Sequence, residues 1–209
     1  MALAVVAPWV TYNLSRFDHP VFLSSQFEAT VGGANCHATY YGTQIGLFST
    51  ACMTARYSPH VDESEAAEVI RKQVTRYVRA HLSRVPIVMG ARVARVMGLY
   101  RPAQQVDLDV FIEGRERPVA LAGLFGGYAV GIGAIIGAVV LRRRRGPPLF
   151  PLLVIPAAVV ATVAITYATD RFRASAEPSL CVLAAVALDA VWRRVRTPRA
   201  SITPSAEAG

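Results

Sequence analysis

Beyond residue 117 the apolar positions are continuous instead of alternating or recurring at helical spacing. Three runs stand out: residues 118–141, 147–168 and 178–192. The first carries no charge. As a helix it is about 36 Å long, enough to cross a hydrocarbon core of about 30 Å. The second holds Pro151 and Pro156, and a kink is expected near Pro156, with neighbouring helices re-satisfying the freed backbone groups. The third is short for a span and crosses if it extends, tilts or lies in a thinner region. Its Asp189 stands four residues before Arg193, the spacing of a helical ion pair. In the first run Gly123, Gly127 and Gly131 recur every fourth residue, as do Gly133 and Gly137. Small residues at that spacing predict a face packed against another helix.

Residues 1–10 are also apolar but make only half a span, and they lack the positive flank of a signal peptide. They read as the end of a transmembrane helix truncated upstream. Residues 11–117 contain no spanning run. Their first half reads as loop, with Gly32-Gly33, Gly42 and Gly46 as turn signals. The second half turns helical. Asp62 or Ser64 can cap a helix with Glu63, Glu65 and Glu68 at its positive end, and Ile70, Val74, Tyr77, Val78 and His81 follow a helical stripe. His81 is expected to pack or cap. Pro86 can open a second helix carrying Ile87, Val88, Val93 and Val96, with Gly98 near its end. Arg92 and Arg95 on that helix are expected to face water or headgroups. Residues 103–117 lead to the first span.

Charge orients this pattern. The chain is 53% hydrophobic with a mean hydropathy of +0.36, and its net charge of +8 rests on arginine, since Lys72 is its single lysine. Arg142–Arg145 follow the first run, and Arg193, Arg194, Arg196 and Arg199 follow the third. By the positive-inside rule both clusters are cytoplasmic. Residues 11–117 and the 169–178 loop then face outward, and residues 193–209 form a cytoplasmic tail. The prediction is an α-helical integral membrane protein, multi-pass in the plasma membrane, with a small, mainly α extracytoplasmic domain. The lipid bilayer accounts for the clustered basic charge. No nucleic-acid-reading motif accompanies it, which argues against a nucleic-acid partner.

Candidate chemistry is sparse. Outside the cytoplasm Cys36 and Cys52 are read as a disulfide, worth roughly 3 kcal/mol in the chain-entropy model. A zinc site from Cys36, His37, Cys52 and His60 is the alternative, at a spacing that matches no standard ligand pattern. Cys181 reads as an ordinary apolar residue. The pairs Asp107/Asp109 and Glu113/Glu116 read as solvated loop charges, and the sequon at Asn13 lies close to the membrane. No nucleotide, dinucleotide, zinc-protease or serine-hydrolase signature is present and no cofactor is identifiable. Arg171 and Arg173, in the outward loop between the second and third runs, form the best candidate site: two guanidiniums at the outer surface can grip a phosphate with charge-assisted, bidentate hydrogen bonds.

Several segments resemble one family. Pro8-Trp9 followed by Asn13 looks like a helix exit; Ala34-Asn35-Cys36, Thr39-Tyr40-Tyr41-Gly42, Gly46 and Cys52 look like an outward loop. Ile112-Glu113-Gly114-Arg115 precedes a span, and Tyr167-Ala168-Thr169-Asp170-Arg171-Phe172-Arg173 with Ala176-Glu177-Pro178 precedes the last one. Together and in this order they resemble the C-terminal part of bacterial, actinobacterial-type membrane glycosyltransferases of family 39, similar to dolichyl-phosphate-mannose protein mannosyltransferases and lipid A aminoarabinose transferases. The resemblance implies a GT-C fold and sugar transfer from a polyprenyl-phosphate donor at the outer membrane face. It implies donor-phosphate contacts at Arg171 and Arg173. The family's general base lies on an early outward loop to which no residue here corresponds, so no catalytic residue is assigned and this stretch alone is expected to be inactive. The alternative is a non-catalytic membrane protein with an extracytoplasmic partner-binding domain.

Overall fold

In a computed structural model the described residues, 2–52, 62–144 and 148–196, are 80% helical and contain no strand. Arg145, Pro147, His60 and the tail from residue 197, including Arg199, lie outside them. Ten α-helices follow in order: α1 Ala2–Arg16, α2 Gln26–Ala34, α3 His37–Tyr40, α4 Glu63–Ala80, α5 Val85–Val96, α6 Pro102–Glu113, α7 Arg117–Arg143, α8 Phe150–Ile165, α9 Asp170–Ala174 and α10 Glu177–Arg196. The chain divides into two compact units. One comprises Met1–Leu108 with Ala158–Arg173, the other Asp109–Ala157 with Ala174–Gly209.

In the first unit, α1 continues past residue 10 to Arg16. Its side chains hold the following segment: the Trp9 indole donates to Leu23 O at 3.0 Å and Asn13 Nδ2 to Phe22 O at 3.4 Å. Asn13 is buried, so the sequon points inward. Helix α4 starts as its sequence predicts. Asp62 is the N-cap, accepting from the Ser64 amide at 3.1 Å, and it also accepts from the Asp18 amide at 3.1 Å. These two backbone donors, Ser64 first, hold the Asp62 carboxyl below the usual carboxylate range. Arg71, Arg76 and Arg79 are exposed, while Ala66, Ala67 and Ile70 are buried. His81 caps the end, its Nδ1 lying 2.8 Å from Tyr77 O and its ring stacked on Tyr77 at 4.1 Å.

The Gly32-Gly33 segment is helix, not loop, because its glycines serve packing. A Cβ on Gly32 would sit 2.8 Å from Ile70 Cγ2, so α2 and α4 approach as closely as they do only without one. Gly33 faces the Phe48 ring in the same way. The core beside them is Tyr40, Ile45 and Val88, with Tyr41, Tyr77, Val85, Ala91 and Tyr100 packed around it. Residues 103–117, expected to lead to the membrane with solvated loop charges, are largely helix: α6 covers them as far as Glu113. Asp109 is buried on this helix rather than solvated in a loop, because a helix places one side chain in three or four inward whatever its polarity.

In the second unit α7 runs 27 residues, and its most apolar 18-residue stretch has a mean hydropathy of 2.1. It is long and apolar enough to cross a membrane, and only 11% of its most apolar stretch is buried, unlike the core helix of a globular domain. It packs along α10. The second glycine series meets α10. A Cβ on Gly133 would lie 3.0 Å from the Ala184 Cβ, and one on Gly137 would run into the Leu183 carbonyl, whereas Gly123 and Gly131 face open space. Helix α10 is longer than the predicted run, and the Asp189–Arg193 pair forms at 2.9 Å. Helix α8, whose residues from Ala158 on belong to the first unit, continues through Pro156 and, at 16 residues, is about 24 Å long, short of a full span.

Candidate functional site

Cys36 and Cys52 are joined as a disulfide across 16 residues of sequence. The bond consumes both thiolates, which removes two ligands from the zinc alternative. The bridge closes the segment that also carries Thr39, Tyr40 and Gly46, and Asn35 directly precedes it. Thr39 anchors its first turn: the hydroxyl donates to Ala34 O at 2.9 Å and accepts from the Cys36 amide at 3.1 Å. Tyr40 OH donates to Asn35 Oδ1 at 2.9 Å. Burial raises the Tyr40 hydroxyl above its ordinary value, opposed by the nearby Arg92 cation.

Arg92 and Arg95 correct the sequence reading. Both were expected to face water or headgroups, and they are 3% and 0% exposed. Their positions explain it: Val88, Arg92, Arg95 and Val96 share one face of α5, at spacings of four, seven and eight residues, and that face is the buried one. The Arg92 guanidinium collects the carbonyl ends of two helices. Nη1 donates to Ala164 O and Ile165 O, the last residues of α8, at 2.9 and 3.2 Å. Nη2 donates to Ala34 O, the last residue of α2, at 2.6 Å and to Asn35 Oδ1 at 3.1 Å. Unsatisfied carbonyls and the negative end of the helix dipole make such termini natural cation sites. Arg95 holds the neighbouring turn, donating from Nε to Ile45 O at 2.6 Å and from Nη2 to Thr43 O at 2.8 Å and Gln104 Oε1 at 3.0 Å. Desolvation lowers both guanidinium pKa values, but the starting value is so high that both stay charged.

Gly46 completes this hub. Its φ is +82° and an added Cβ would come within 3.0 Å of the Arg92 amide nitrogen. Only glycine combines that backbone conformation with that approach. Its carbonyl accepts from the Ala168 amide at 2.9 Å. Beside it Phe48, Tyr167 and Phe172 form a ring ladder with centroids 5.3 and 5.5 Å apart. The segment 34–48 and the segment 164–172, more than a hundred residues apart in sequence, are thus locked together.

Arg171 and Arg173 lie on α9, a single short turn that follows this junction. Arg171 is exposed and Arg173 half-buried, and neither is without an interaction partner. No protein-family model, no curated protein and no solved structure matches the chain.

Proposed function

We propose that this chain is part of a multi-pass membrane glycosyltransferase that takes its sugar from a polyprenyl-phosphate donor on the outer face of the plasma membrane, with Arg171 and Arg173 contacting the donor phosphate. The observation that carries it is the Arg92 hub. It binds the outward-loop motif at residues 34–46 to the Tyr167–Arg173 motif, the two segments on which the family resemblance chiefly rests. Arg171 and Arg173 therefore begin from a fixed turn instead of a free loop, and a pre-set guanidinium pair loses less entropy on gripping phosphate. The disulfide is in keeping with an oxidising, extracytoplasmic setting. Helix α7, ending in Arg142 and Arg143, suits a span entering the cytoplasm there. In this topology α8 returns outward, its short length met by local thinning of the bilayer, and α10 descends again.

The test is to introduce Arg171→Ala and Arg173→Ala at the genomic locus and to follow transfer from a labelled polyprenyl-phosphate sugar in isolated membranes. The double substitution should weaken donor use by about tenfold or more, the loss of two charge-assisted contacts. Unchanged donor kinetics would refute the assignment. A second reading, a non-catalytic partner-binding domain, draws on a groove of about 470 Å³ in the first unit, lined in part by Phe22, Leu23 and Phe27. Those three side chains are 63%, 60% and 56% exposed, and apolar surface of that kind suits a protein partner.

A further inference from the structure

We propose that the arginine-flanked end of the α7–α10 pair is a binding site for an anionic glycerophospholipid. It rests on the membrane reading above but concerns the opposite side of the bilayer from the proposed sugar donor. A cavity of about 200 Å³ opens between the two helices, with Ile136, Val140 and Val191 on its walls and Arg143, Arg144 and Arg194 around it. Residues 136–144 and 187–196 together carry six arginines and one acid, Asp189. Asp189 pairs with Arg193 at 2.9 Å and reaches Arg144 at 3.7 Å. Arg196 lies over the Trp192 ring at 4.2 Å. Among the described residues at this end one carboxylate faces six arginines, and three of the six line the cavity.

The shape selects an amphiphile over a free anion. Phosphate alone would use the guanidiniums and leave the apolar wall unoccupied. A phospholipid uses both, its phosphate among the three arginines and the start of an acyl chain against Ile136, Val140 and Val191. The cavity is smaller than the roughly 300–1,000 Å³ that enclose a drug-sized ligand, so the rest of the chain would continue along the exposed apolar faces of α7 and α10. Ile135 and Leu188 on those faces are 68% and 72% exposed. Basic pockets between membrane helices on the cytoplasmic side suit acidic headgroups, and each nearby arginine adds to the attraction.

The experiment places the full chain in nanodiscs of equimolar phosphatidylcholine and phosphatidylglycerol and counts retained lipids by native mass spectrometry. Phosphatidylglycerol should be retained in preference. The preference should fall by about tenfold or more in R143Q/R144Q/R194Q, as three charge contacts are lost, and stay unchanged in R71Q/R76Q/R79Q, which removes the same charge elsewhere. Val140→Trp, which fills the apolar wall and leaves every arginine, should also lower it. Equal loss in both triple variants, or displacement of the lipid by inorganic phosphate, overturns the site. Insertion is scored in phosphatidylcholine alone: a chain that inserts without discriminating lipids overturns the site and leaves the membrane reading standing. A chain that stays out overturns both.

Discussion

Replacing Arg92 by methionine separates two opposed effects within one side chain. Methionine keeps an unbranched stem in the same space and removes the guanidinium. Of the four acceptors served by Arg92, two keep another donor: Ala34 O retains the Thr39 hydroxyl and Asn35 Oδ1 retains Tyr40 OH. Ala164 O and Ile165 O lose their donor at the end of α8. The buried Ala164 O left unsatisfied costs about 1–3 kcal/mol, and Ile165 O, which water can reach, adds little. Against this, the variant no longer buries a cation, which returns several kcal/mol. Two helix C-termini facing the cation each stabilise it by up to about 2 kcal/mol, which offsets much of that return. The expected net loss is about 1–3 kcal/mol, a fall of about 2–12 °C in melting temperature for a chain of this size. Arg92→Lys should cost at least as much. An ammonium stays charged and buried but cannot span both sets of acceptors. The assay is thermal melting of the purified chain in detergent, read by far-ultraviolet circular dichroism. A methionine variant that melts at or above the parent would refute the reasoning, since burying the charge would then outweigh the clamp.

Three further outcomes are expected. Gly137→Ala should force α7 and α10 apart and weaken cysteine cross-linking between them, whereas Gly131→Ala, which meets open space, should leave it unchanged. Replacing Cys36 and Cys52 by serine should cost roughly 3 kcal/mol in chemical denaturation, and non-reduced mass mapping of the parent should recover the linked peptides. Asp62 has a folded pKa below its unfolded one, so its contribution to stability is complete above the unfolded value and is lost as pH falls through the folded one. An acid titration of melting temperature should therefore show a component below the usual carboxylate range that Asp62→Asn, which retains a cap but not the charge, abolishes.

Local rules made much of the helical framework legible. Asp62 with the acids behind it, Pro86 at the start of α5 and the uncharged run of α7 each state a preference that needs no distant neighbour. The Cys36–Cys52 bridge followed from pairing two cysteines in a segment read as extracytoplasmic. Gly32-Gly33 was misread because glycine signals a turn when a segment is taken alone, and helix contact only when Ile70 and Phe48 are seen against it. Arg92 and Arg95 were misread because arginine ordinarily seeks water. Their places on the Val88–Val96 face were visible as periodicity, but their acceptors were not.

What the chain determined by itself is therefore the set of short-range choices: helix starts, the long apolar helix with its basic end, and the pairable cysteines. Only tertiary structure decided which glycines touch a neighbour and which polar groups are buried. The carbonyls gathered by Arg92 lie at residues 34, 164 and 165. A buried cation is tolerable only where folding brings such acceptors together, and no local pattern records that convergence.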